Sequence, residues 1–288
     1  MEGTEARQTT PFLVLQFFIF PMAIVAVCVT VFVIFGLIAS EGKGARGYLD
    51  EVRTGSANRR WQAAFELSKV LQARKDPALG DPGFAGELVR VFTTATADDP
   101  RVRRYLALAL GRLGDKRAVP ALVEAADPKG DTPADPDTQV YSVWALGAIA
   151  DAEAVPTLVR LAGSEDGGLR KAAVHALGSF PGQAPRAALA VALNDPVEDV
   201  RWNAAVGLAR RRDAAAAPVL LQMMDRRHLA TVADLTPDQR EEAILQAVQA
   251  AAVVPDPELR AALEHLRDSD PNLRVREAAR AELAGRPR

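Results

Sequence analysis

Residues Asp195 to Ala209 read DPVEDVRWNAAVGLA, and the same skeleton returns along most of the chain. It recurs as DDPRVRRYLALALG at Asp98 to Gly111, DGGLRKAAVHALG at Asp166 to Gly178 and DPNLRVREAARAELA at Asp270 to Ala284. Weaker copies are DPDTQVYSVWALG, from Asp135 to Gly147, and ANRRWQAAFELS, from Ala57 to Ser68. Self-similarity at intervals of roughly 31 to 43 residues marks a repeat architecture in which each copy is one supersecondary unit.

With Ala204 as position zero, the equivalents are Ala63, Leu106, Ser142 and Ala173. Four residues later the residue is always leucine: Leu67, Leu110, Leu146, Leu177 and Leu208. Four residues earlier stand Val102, Leu169 and Val200, with Arg59 and Thr138 departing from the pattern. Spacing by four lines these side chains along one helical stripe, so each copy is expected to be an amphipathic helix. An Asp or Asp-Pro ahead of the stripe predicts an N-cap, and the glycine after it in three copies predicts a stop. The stretch from Ala204 to Ala279 leaves room for about two further units.

Second apolar stripes lie between these helices, at Phe84 to Thr94, Ala118 to Ala126, Ala154 to Ala162, Pro185 to Leu193, Ala215 to Met224 and Glu258 to Leu266. Val119-Pro120 and Val155-Pro156 fall in early turns, where a missing N–H is best tolerated. The unit is a helix, a turn and a second helix, too small to bury its own apolar face, so stacking of neighbours must close the core.

The D-P-x-V-R-x-x-A-A-x-A-L-G pattern resembles HEAT repeats of the short bacterial kind, first grouped with the phycobilisome lyases, over roughly Ala57 to Ala284. The resemblance implies an all-α solenoid of about six to seven helix-turn-helix repeats. It also implies a platform for other proteins, with a bilin-lyase-like chromophore attachment factor as a second expectation.

Composition agrees with a large helical core. Hydrophobic residues make up 49% of 288, and 35 basic residues stand against 37 acidic ones. A phosphate-binding surface for nucleic acid would be far more basic, so no nucleic-acid partner is expected. The single cysteine, Cys28, excludes a disulfide within the chain.

Residues 1–11 form a short polar tail, and Phe12 to Ala39 then runs 28 residues without a charge. A helix of that length reaches about 42 Å, against a hydrocarbon core of about 30 Å, so a retained transmembrane helix is expected over 12–39. A cleaved signal peptide has a shorter apolar region and a small-x-small site that Leu37-Ile38-Ala39 lacks. Arg7 precedes the segment, while Lys43, Arg46, Arg53, Arg59 and Arg60 follow it, which favours repeats on the cytoplasmic side of a single-pass protein. Residues 40–56 read as a Gly-containing juxtamembrane linker, and 57–288 as the solenoid. The GKGARG within that linker lacks the spacing of a phosphate loop.

Two long connections interrupt the array. Asp127 to Asp137 is rich in aspartate, but the register and closing glutamate of a calcium loop are absent, so an acidic loop is expected. Asp225 to Asp238 follows Arg210-Arg211-Arg212 and adds Arg226, Arg227 and His228, a local basic patch or a solvated face. Three before position zero stand Arg60, Arg103, Gln139, Arg170 and Arg201, with Asp99, Asp166 and Asp199 ahead of them. These read as caps and an ion-pair ladder between units.

Positions −2 and +2 point away from the core stripe, toward the inner, concave wall. They hold Trp61 and Phe65, Arg104 and Leu108, Val140 and Trp144, Lys171 and His175, and Trp202 and Val206. All three tryptophans lie in this row. The rings are expected either to form a protein-binding strip or to fold down between neighbouring helices. The candidate binding residues are Trp61, Phe65, Arg104, Leu108, Trp144, Lys171, His175 and Trp202. His175, His228 and His265 are not paired at metal-ligand spacing, and no hydrolase, zincin or dinucleotide fingerprint appears. The expected function is therefore a membrane-tethered scaffold or adaptor that binds a membrane-associated protein, with no catalysis, cofactor or small-molecule substrate. The alternative is a permanent accessory subunit or assembly factor of a larger membrane complex.

Overall fold

Each repeated stretch folds as expected into a helix whose leucine column points inward. The computed structural model describes residues 20–39, 43–129 and 135–285, which divide into two units, Met1–Gly44 and Ala45–Arg288.

In the first unit α1 covers Phe20–Ala39. Its described side chains from Met22 to Val33, about 18 Å of helix, are exposed and apolar apart from Thr30, whose hydroxyl donates back to the Ala26 carbonyl at 2.7 Å. Among the described residues no helix is long and apolar enough to cross a membrane. Part of the expected span, Phe12 to Ile19, lies outside the described residues.

The second unit is a stack. Its first-row helices are α3 (Ala57–Gln72), α5 (Pro100–Leu113), α7 (Pro136–Ile149), α9 (Gly167–Leu177), α11 (Glu198–Ala209), α14 (Pro237–Ala251) and α16 (Leu273–Ala284). Each of these packs on the next. The second row is α4 (Pro82–Thr94), α6 (Val119–Ala126), α8 (Val155–Leu161), α10 (Gln183–Ala192), α12 (Ala217–Met224) and α15 (Pro257–Ser269). The short α13 (Arg226–Thr231) sits in the long connection after α12. No strand occurs among the described residues. The core lies between the rows, where Leu67, Leu110, Leu146, Leu177 and Leu208 are all fully buried. Each such leucine contributes about 1.5–3 kcal/mol through removal of its side chain from water.

Side-chain capping explains where several of the helices begin, although α3, α10 and α11 start without it. Asp99 accepts from the Arg101 N–H, Asp135 from Thr138 and Asp166 from Leu169, which satisfies donors that the first turn leaves open. Before α6, α8 and α12 a single 3₁₀ turn is capped in the same way by Asp115, Asp151 and Asp213.

Two expectations need correction. Residues 40–56 are not simply a linker: α2 (Ala45–Thr54) buries Ala45, Leu49 and Val52 and packs on α3 as a preceding second-row helix would. The spacing of those three residues is helical, and Arg60 holds the end of α2 by donating to the Val52 carbonyl at 2.6 Å. The glycines after the stripe are likewise not all stops. Gly111 and Gly147 lie inside α5 and α7, which end instead at Gly114 (φ 75°) and Ala150 (φ 56°). Gly178 alone of the three follows its helix directly.

Candidate binding face

The arginine column ties the units together. Arg60 pairs with Asp98 of the next unit, with Nη2 to Oδ2 at 2.6 Å. Arg170 spans Asp195 at 2.9 and 3.1 Å while also donating to the carbonyls of Ser164 and Glu165. Arg201 and Arg276 make the same carbonyl contacts in their own units, to Asp195 and Asp270. Gln139 substitutes with a 3.0 Å bond to the Ala126 carbonyl. Arg103 departs: its guanidinium lies 5.1 Å from the Phe92 ring centroid, and burial pushes its pKa down. Arg60 and Arg170 thus join neighbouring units, while Arg201 and Arg276 brace the turn ahead of their own helix.

Both long connections are joints as well. Asp127 pairs with Arg160, and Asp135 is engaged with Arg104 and Thr138. Residues 130–134 of that connection lie outside the described residues. In the second connection Arg226 is held by Glu241 at 2.7 Å and by the buried Asp270 at 2.7 Å, so it does not belong to a free basic patch. These two carboxylates raise its pKa further above the usual arginine range. His228 faces Glu198 at 2.8 Å. Among the described residues no group of three or more His, Cys, Asp or Glu could hold a metal ion.

The inner row divides by burial. Trp202 is only 9% exposed and belongs to the core, with its indole Nε1 lacking a hydrogen-bond partner. Trp61 is half-buried beneath Arg101, whose guanidinium stands 4.4 Å from the ring centroid. Trp144 is 40% exposed and Phe65 38%. Hence the row is not one uniform Trp strip: Trp202 folds into the core, while Trp144 and Phe65 remain exposed. Arg104 is bound by Asp135 at 2.8 and 3.0 Å and also pairs with Asp137. Lys171 is bound by Asp199, and His175 Nδ1 lies 3.1 Å from Asn203 Oδ1. Leu108 is half-buried between these positions.

Tyr105 and Tyr141, one residue before position zero, were not part of the expected row. Tyr105 meets Phe65 edge-on at 5.1 Å and 62°, and meets Tyr141 at 6.4 Å and 77°. The three rings form a continuous ladder across α3, α5 and α7, in geometry that favours aromatic pairs by about 0.5–1.5 kcal/mol each beyond burial. Tyrosine at one column of two consecutive copies was the signal in the sequence. Neither hydroxyl has a hydrogen-bond partner among the described residues.

Farther along, α9, α11 and α14 enclose two depressions. One, of about 270 Å³, is lined by Trp202, Gln239 and Glu242; the other, of about 590 Å³, by His175, Val206 and Gln249.

The family model described as HEAT repeats matches residues 131–190, and the PBS lyase HEAT-like repeat matches residues 102–128. No curated protein matches the chain. Among solved structures, the chain is similar to the complex of CpcE and CpcF of phycocyanin lyase from Nostoc sp. PCC7120, at 20% identity and a TM-score of 0.54, covering 85% of this chain and 97% of that one. It is also similar to human deoxyhypusine hydroxylase in complex with glycerol, at 19% identity and a TM-score of 0.34, covering 83% and 94%. A designed armadillo repeat protein in complex with the peptide (KR)4 gives 15% identity and a TM-score of 0.40, covering 84% and 99%. The likeness to the CpcE–CpcF complex, at 20% identity, is one of fold alone. Residues 102–128 and 131–190 therefore match models of HEAT-like repeats, and the second unit as a whole is an all-α solenoid of stacked helices.

Proposed function

We propose that this chain is a scaffold that holds a protein partner on the inner face of its first-row helices, performs no bond chemistry itself, and is tethered by Phe12–Ala39 with the repeats on the cytoplasmic side. The observation that carries the binding reading is the aromatic ladder Phe65–Tyr105–Tyr141, flanked by the exposed Trp144. Phe65 and Trp144 remain exposed while Tyr105 and Tyr141 pack partly against the core beneath them, and accessible large rings are the usual anchors of protein interfaces. The charged groups beside them are spent on neighbouring units, which supports a structural role for those groups over a catalytic one. The tether rests on the 28 uncharged residues and the flanking basic residues.

The test is co-purification in mild detergent from the native membrane, comparing the full chain with its Phe65→Ala/Trp144→Ala variant. Loss of a recurring partner in the variant, with only the small drop in melting temperature that loss of the Phe65–Tyr105 pair brings, is the expected result; an unaltered set of partners removes the aromatic face as the binding site. Stoichiometric recovery would make the chain a permanent subunit, and substoichiometric recovery an adaptor. Extraction of the chain from membranes by alkaline carbonate would remove the tether.

A further inference from the structure

The second depression combines three chemistries that the aromatic ladder lacks. Val206 and Val253 give it an apolar floor, and Val253 is 45% exposed although aliphatic. Gln246 and Gln249 of α14 line one side, and neither amide has a hydrogen-bond partner among the described residues. Arg210 and Arg212 close the end, and neither is ion-paired among the described residues. The carboxylate nearest in sequence, Asp213, is committed to Arg186 at 2.6 Å and to the Ala215 N–H. The neighbouring polar pair, His175 and Asn203, already satisfies itself.

These two exposed guanidinium groups, of which Arg212 also lines an adjoining depression with Glu282, are free to receive an anion, and their donor forks match a carboxylate. A carboxamide offers both a donor and an acceptor, the complement of a peptide bond. An apolar floor beside the cations calls for an aliphatic side chain adjacent to the negative charge. The free C-terminus of a polypeptide ending in an aliphatic residue presents all three within a few ångströms, with its carboxylate directly on the last backbone carbon. A volume of about 590 Å³ suits a segment of a few residues.

We propose that the groove between α9, α11 and α14 captures the free C-terminal carboxylate of a partner polypeptide whose last residue is aliphatic. This deepens the protein-binding reading of the inner face and rests on it. Arg210 and Arg212 take the carboxylate, Gln246 and Gln249 the final peptide bonds, and Val206 with Val253 the terminal side chain.

The test titrates the full chain in mild detergent with a fluorescent pool of random dodecapeptides ending in leucine with a free carboxylate, against the same pool amidated. The free-acid pool should bind at least tenfold more tightly, since charge-assisted bonds to guanidinium are lost on amidation. Arg210→Gln and Arg212→Gly should each abolish that preference. Arg212 occupies a left-handed backbone position (φ 56°) that glycine adopts without strain, so Arg212→Gly removes the charge while keeping the fold at least as stable. Equal affinity for the two pools, no saturable binding, or a preference that survives both substitutions would overturn the proposal. The Phe65→Ala/Trp144→Ala variant should bind the free-acid pool normally; failure there would also overturn the groove as a seat of its own, whereas the aromatic reading stands or falls on the co-purification alone.

Discussion

A β-carbon added to Gly111 would stand 2.8 Å from the α-carbon of Ala145 in the next unit, closer than such atoms come in real proteins. Gly147 stands in the same relation to Ala176, with contacts at 2.8 and 2.9 Å. These glycines set how closely successive first-row helices approach, and backbone cannot swing aside as a flexible side chain can. Gly111→Ala and Gly147→Ala should each destabilise the solenoid by about 1–3 kcal/mol through overpacking, despite the better helix propensity of alanine. Urea unfolding followed by circular dichroism measures this. A stabilised variant would mean that the glycines are only weak points of their helices.

The joint between Arg104 and Asp135 is pH-dependent. The Arg104 guanidinium holds the Asp135 carboxyl down at about 2, with further help from the Thr138 hydroxyl and N–H, against partial burial that acts the other way. A depressed carboxylate stabilises the fold above its unfolded pKa of 3.8 and loses that contribution as pH falls toward 2. The wild type should therefore lose about 1–2 kcal/mol between those values at this site. Asp135→Asn should be less stable at neutral pH and lack this part of the acid dependence, as read from chemical unfolding at a series of pH values.

Arg226 joins α13 to α14 and to the turn before α16, through Glu241 and through an Asp270 carboxylate whose side chain is only 1% exposed. Asp270 also accepts from the Asn272 N–H at 2.8 Å. Removing one member of a buried pair leaves the other charge without compensation, so Asp270→Ala should cost about 3–5 kcal/mol. Asp268→Ala, which breaks the surface pair with Arg267, should leave the unfolding midpoint unchanged. Equal effects of the two substitutions would show that Arg226 finds water as readily as a solvated side chain.

How much of this was legible in the sequence follows from which residue carries each feature. The leucine column was legible because one residue type recurs at one position, and its five members are all buried. The second-row helices followed from their apolar spacing. Helix α14 escaped because its buried stripe is Ala243, Ile244, Ala247, Val248 and Ala251, with alanine where the other copies place leucine. Helix α2 escaped because its glycine and charges read as a tether, while Ala45, Leu49 and Val52 are too few to register as a stripe. Close helix approach at Gly111 and the partners of Arg226 depend on units far apart in sequence, and periodicity within one copy carries no trace of them. On the candidate face, position −2 was read as pointing outward in every copy, yet the ring at Trp202 is large enough to turn back into the core while Trp144 at +2 stays accessible.

That difference separates the two tryptophans experimentally. Trp202 is almost wholly enclosed and takes part in the core, so Trp202→Ala should cost about 3–5 kcal/mol and lower the melting temperature. Trp144 keeps 40% of its surface exposed and leans on the edge of α5 near Gly111, so Trp144→Ala should change stability far less. The loss should appear instead in partner recovery, because an accessible indole contributes chiefly when a partner buries it. Thermal unfolding of both variants beside the co-purification assay makes the comparison. If Trp144→Ala lowered the melting temperature as much as Trp202→Ala, its ring would belong to the joint between α5 and α7, and Phe65, Tyr105 and Tyr141 would have to hold the partner without it.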